Sequence, residues 1–191
     1  FSGNLDLLYR KGKFLFNNKM TVNYTKSGDP VVSFSAYAKA NPYYEKAKNG
    51  KVEKWLEYIE DLVAAPNPLW NASQNSRALT RSWGVTDNFS AEYNPLSTLK
   101  LRARFGITKS VNETDRFLSP KDSSFDDIND LKKGTLDYNN EKSLQYEGEF
   151  TATYGAILGE RHRINLVGGA NFNALETQGN GYAVEGFPNG N

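Results

Sequence analysis

The sequence predicts an all-β chain: an antiparallel, transmembrane β-barrel segment of about six strands with long extracellular loops, one of them containing a short helix. Three observations carry this prediction. Apolar and polar residues alternate with a period of two over stretches too long for an ordinary soluble strand. Short turns and long gaps follow one another strictly along the chain. Aromatic residues sit near both ends of the apolar stripes.

The first alternating stretch runs from Lys13 to Lys26, with Phe14, Phe16, Met20, Val22 and Tyr24 on one parity and Leu15, Asn17, Lys19, Thr21 and Asn23 on the other. Alternate side chains of a strand point to opposite faces, so this strand has one apolar and one polar environment. The same pattern recurs with Trp83, Val85, Phe89, Ala91 and Tyr93, then with Leu99, Leu101, Ala103, Phe105 and Ile107. It returns with Tyr146, Phe150 and Tyr154, and again with Ile164, Leu166, Ala170 and Phe172, while Leu5 to Tyr9 makes a shorter sixth strand. Soluble strands average about 5 to 6 residues. Lys13 to Lys26 would span roughly 46 Å, or about 35 Å along the normal at a tilt near 40°, enough to cross a bilayer core.

Short turns are expected at Arg10 to Lys13, at Asn94 to Ser97 and at Ile157 to Arg161. Long gaps follow from Ser27 to near Thr80, from Asn112 to near Glu141, and from Leu175 onward. Connections are usually about 4 to 6 residues, and strict alternation puts every long loop on one sheet edge, as in outer-membrane barrels. Tyr146 and Tyr154 flank Phe150, and Trp83 and Tyr93 flank Phe89, an order that suits two headgroup levels with hydrocarbon between. Gly148 and Gly168 on the apolar parity imply bends. Asp87 on that parity implies a bulge or a place near the rim, and Lys109 a snorkelling stem.

Composition excludes several classes. With 23 basic and 22 acidic residues, net charge +1, the chain lacks the basic excess of a nucleic-acid protein. It has no Cys, so disulfide frameworks, thiol chemistry and Cys metal sites are excluded. A mean hydropathy of −0.65 with no long apolar run excludes a membrane-spanning helix but not spanning strands. A single His leaves no usual base or metal cluster, so the expectation is a non-enzyme without cofactor or metal. The acidic stretch Asp122, Asp126, Asp127, Asn129 and Asp130 lacks the alternate-residue spacing and turn Gly of a calcium loop and reads as a solvated loop. The chain opens Phe1-Ser2-Gly3 without Met and reads as a piece of something longer, with a processed mature protein as the alternative.

Within the first long loop, Val52, Trp55, Leu56, Ile59, Leu62 and Val63 follow helical spacing, ended by Ala64-Ala65-Pro66. Two readings stand for it: a helix packed against neighbouring loops, or a contact surface in which Trp55 and Tyr58, with Tyr43, Tyr44 and Trp70, meet ligand or partner. On the polar parity, Arg102, Arg104, Glu147 and Glu149 are the candidate lumen-facing groups. Glu147 and Glu149, at i and i+2, line a wet interior more simply than they make a glycosidase pair.

The order of several motifs resembles the SusC/RagA family of TonB-dependent outer-membrane transporters. They are the hairpin Leu8 to Ser27, the loop Ala38 to Lys46, Asn67-Pro68-Leu69-Trp70-Asn71-Ala72, the hairpin Asp87 to Ile107, the loop Arg116 to Phe125, and His162 to Phe172 followed by Gly186-Phe187-Pro188. The resemblance covers essentially the whole chain. It implies that residues 1–191 are a partial barrel domain, roughly a quarter of a 22-stranded wall, without the plug domain or the barrel end. It further implies a nutrient importer in a Gram-negative outer membrane, in contact with lipid. Its partners would be a SusD-like lipoprotein, the TonB complex through parts of the parent chain not present here, and an oligosaccharide or peptide substrate. The rival readings are a soluble secreted β-sandwich carbohydrate-binding module and a surface adhesin.

Overall fold

The computed structural model describes residues 1–40, 42–56, 65–159 and 162–187. Six long strands form one sheet: β1 (Ser2–Lys11), β2 (Phe14–Gly28), β5 (Arg77–Leu96), β6 (Leu99–Leu118), β7 (Thr135–Leu158) and β8 (His162–Glu185). Between β2 and β5 lie α1 (Phe34–Lys39), the two-residue strands β3 (Ala47–Lys48) and β4 (Lys51–Val52), and α2 (Pro68–Ser73). The sheet order is β1-β2-β5-β6-β7-β8, so strands consecutive along the chain are neighbours. Short turns join β1 to β2, β5 to β6 and β7 to β8, and long connections join the others, as the alternation of gaps requires.

The β1–β2 hairpin shows how the faces are set. Its antiparallel register pairs Leu5 with Met20, Leu7 with Asn18 and Tyr9 with Phe16 on one face, and Asp6 with Lys19 on the other. A slip of one residue would exchange the faces. Gly12, at φ 57° in the turn, supplies the positive φ that tight hairpins demand.

Strand lengths exceed the expectation. β7 and β8 have 24 residues each, about 79 Å of strand and about 60 Å along the barrel axis at a tilt near 40°, well beyond an apolar band of about 25 Å. β7 begins at Thr135 rather than near Glu141, which shortens the second long connection to residues 119–134. The segment from Leu175, expected as loop, continues β8 to Glu185.

The expected helix is corrected over its described part. Asn49 (φ 51°) and Gly50 (φ 76°) form a mirror-image turn that folds Lys51–Val52 back onto Ala47–Lys48. Trp55 then bridges Pro66 in antiparallel fashion, and Leu56 donates its N–H to Ala65 O at 2.9 Å. Residues 57–64, including Ile59, Leu62 and Val63, lie outside the described residues. Among the described residues of this connection the α-helices are α1 and α2, with six residues each. Among the described residues no helix is long and apolar enough to cross a membrane.

The chain divides into two compact units. One comprises Phe1–Thr25, Ser82–Asn112 and Glu141–Gly179; the other comprises Lys26–Arg81, Glu113–Asn140 and Asn180–Asn191. In the first unit large apolar side chains lie open on the sheet, among them Leu7, Phe89, Phe105, Phe150 and Leu166. A β-sandwich would bury such a face under a second sheet; among the described residues the other sheet is the two-residue β3–β4 pair. The second unit holds buried side chains of its own, the apolar Phe117, Phe125 and Leu56 and the fully buried polar Asn67.

Candidate functional site

In the first unit the contacts sort the side chains onto the two faces that the alternation predicts. On the apolar face Phe14 stacks on Tyr93 with ring centroids 4.2 Å apart, Phe16 on Phe89 at 6.3 Å and Tyr9 on Phe16 at 6.4 Å. Gly148 makes room on this face for Phe172: a Cβ there would lie 2.1 Å from the ring. Its glycine is thus explained by an aromatic neighbour on the adjacent strand, not by the expected bend.

Asp87 finds a hydrogen-bond partner on the neighbouring strand. β5 runs unbroken through it, and its Oδ1 accepts a 2.6 Å hydrogen bond from Nδ2 of Asn18, the polar residue of the same face on β2. Each polar group on the apolar stripe therefore satisfies the other, which removes most of the cost of an unpaired carboxylate there.

The polar face carries the predicted charged groups. Glu92 accepts from Lys100 at 2.7 Å and lies 3.5 Å from Arg102, while Arg104 lies 3.6 Å from Glu149. Gly106 leaves the space between Glu147 and Asn88, since a Cβ would come within 2.8 Å of the first and 2.9 Å of the second. Farther along, hydroxyls and amides replace charges: Thr108 to Thr86 at 3.2 Å, Ser110 to Ser143 at 2.7 Å, Ser82 to Asn112 at 2.6 Å. Half-exposed ion pairs of this kind contribute about 0.2–1 kcal/mol each. Their weight is chemical: a polar face carrying both charge signs. Arg102, Arg104, Glu147 and Glu149 are brought together on this face; Glu92, Lys100 and Asn88 belong with them, and their parity was the signal that could have found them.

The loop residues of the second unit behave otherwise. Asn67 caps α2, its Oδ1 accepting from Leu69 N at 3.0 Å, while its Nδ2 donates to Lys46 O at 2.8 Å and Glu53 O at 2.6 Å. Trp70 is half-buried, and its indole N–H donates to Lys121 O at 3.0 Å. Asn71 grips Ser123 twice, donating to its Oγ at 2.8 Å and accepting from its N–H at 3.0 Å. Trp55 is half-buried beside the Lys54 ammonium, which pairs with Asp126. Tyr43 is 93% exposed and Tyr44 38%, while Tyr58 lies outside the described residues. Trp70 and the acidic stretch thus have internal tasks: Asp122 accepts from Ser124 N and Asn129 from Leu131 N, each capping a short turn. Lys133 donates to Asp130 at 2.7 Å and holds that carboxyl below its ordinary range. Among the described residues no three metal-ligating side chains come together.

No family model matches the chain. TonB-dependent receptor P26 of Formosa agariphila is 25% identical over 128 residues, which is 63% of this chain and 12% of that receptor. The RagAB peptide importer in its "closed-closed" state shares the fold with a TM-score of 0.71 at 15% identity, covering 98% of this chain and 21% of the solved one. A second structure, of the RagAB peptide transporter, matches with the same TM-score at 14% identity. The chain is thus similar in sequence to a TonB-dependent receptor and shares the fold of the RagAB chain, spanning only a small part of either.

Proposed function

We propose that the chain forms a sector of the barrel wall of an energised nutrient importer in the outer membrane of a Gram-negative bacterium. Its apolar face meets lipid. Its polar face, with Arg102, Arg104, Glu147 and Glu149, lines a wet lumen through which oligosaccharide or peptide fragments pass. The long connections, with Tyr43, Tyr44 and Trp55, contribute to the external ligand surface and to contact with a SusD-like lipoprotein. The TonB complex would act through parts of the parent transporter outside residues 1–191, and this segment carries out no catalysis. The observation that carries the reading is the sorting of faces: stacked rings on one, ion pairs and hydroxyls on the other. A single sheet with these two environments suits hydrocarbon on one side and water on the other.

A charge placed on either face tests this. Phe105→Arg in the parent transporter is expected to reduce inserted, heat-modifiable barrel severely, because a guanidinium at mid-membrane costs about 2–4 kcal/mol. Arg104→Ala, beside it on the other face, should leave assembly near wild type. The reverse ranking, or equal tolerance, would reject the assignment of faces.

A further inference from the structure

The two long connections, residues 29–76 and 119–134, belong to the same compact unit, and the contacts between them are unlike those of independent flaps. The Asn71 carboxamide uses both ends on one residue, with its oxygen on the Ser123 N–H and its nitrogen on the Ser123 hydroxyl. One residue away, the Trp70 indole holds the Lys121 carbonyl, and Ser119 donates its N–H to Ser76 Oγ at 2.9 Å. The receiving segment is buried by this grip: Ser119 is 2% exposed, Asp122 6% and Ser123 7%. Loops that swing separately expose such polar groups to water in at least one state. Here two donors on each connection are met by acceptors on the other, so parting them would orphan several groups at once.

We propose that the two connections act as one preassembled body, with Asn71 as the joint that positions residues 119–126. Any displacement of the Trp70 segment by ligand or partner would carry the 119–126 segment with it, and the mouth would open by one moving part rather than two. What that body does rests on the importer reading; that it is one body does not.

Amide exchange on the full-length parent transporter in detergent, followed across a denaturant series, tests this. Segments 68–74 and 119–126 should open with the same free energy and the same denaturant dependence, the mark of one cooperative unit. Asn71→Ala should raise exchange in both by about ten- to hundredfold while β1 and β2 keep their protection. Ser123→Ala keeps the Ser123 N–H on the Asn71 oxygen and should raise it less. Different denaturant dependences in the wild-type protein, or a rise confined to one segment in the variant, would overturn the proposal. The wild-type comparison stands even where the Asn71 variant fails to assemble. Membrane fractionation of the same preparation reads the importer assignment separately.

Discussion

Asn67→Ala is expected to loosen the second unit more than alanine at any other loop position. The alanine removes the cap on α2, a loss of about 0.5–2 kcal/mol. It also leaves the Lys46 and Glu53 carbonyls without the amide that now serves them at 2.8 and 2.6 Å, at about 1–3 kcal/mol for each that stays dry. Asn67 is fully buried, so water does not replace the lost donor without opening the loop. Limited proteolysis of the parent transporter in detergent should show new cleavage between residues 40 and 76, with the barrel itself still inserted. Asn67→Asp supplies an internal comparison, because a carboxylate keeps the cap acceptor and loses both donors. Its other oxygen faces the two carbonyl oxygens in a fully buried site, so it should loosen the loop at least as much as alanine. A cleavage pattern for Asn67→Ala indistinguishable from wild type would show that the amide is dispensable.

Gly169→Ala is expected to disturb the β7–β8 pairing, and its neighbour Gly168→Ala is expected to be silent. A Cβ on Gly169 would lie 2.6 Å from the backbone oxygen of Phe150, and backbone does not yield as a flexible side-chain tip does. Overpacking of this kind costs about 1–3 kcal/mol, here through separation of two strands. A Cβ on Gly168 meets nothing within 4 Å. Folded yield, read as the heat-modifiable band on a gel, should drop for the first variant alone. Equal yields would mean that the two strands lie farther apart than described.

The faces were legible in the sequence because a strand lying between an apolar and a polar environment takes apolar side chains at every second position, which leaves a period of two. The strand ends were not, for the same reason. At Glu113 and Asp115 the odd positions of β6 turn polar, yet pairing with β5 persists: Arg81 meets Glu113 at 2.8 Å and Arg77 meets Asp115 at 3.2 Å. Hydropathy stops where the apolar environment stops, while backbone pairing continues. The Gly-rich end of β8 hides its pairing similarly, although Tyr182 stacks on Tyr138 with centroids 5.2 Å apart.

In the first connection, Val52 and Trp55 have helical spacing, but Asn49-Gly50 overrides it, a turn signal stronger than a short periodicity. Asn67-Pro68, a cap residue followed by proline in the first turn, likewise announces α2. Of the candidate contacts, the polar-face charges were readable from parity alone. The role of Trp70 was not, because its partner is a backbone carbonyl 51 residues away, and composition says nothing about which aromatic ring an adjacent loop will hold.

The central claim is that one sheet separates hydrocarbon from water, and a cysteine scan along β6 tests it most directly. The chain has no native Cys, so each introduced thiol within it reports a single position. In membranes carrying the parent transporter, a small water-soluble thiol reagent should label Arg102→Cys, Arg104→Cys and Thr108→Cys. It should leave Leu101→Cys, Ala103→Cys, Phe105→Cys and Ile107→Cys unlabelled. Labelling without this alternation, or with the parity reversed, would contradict the account.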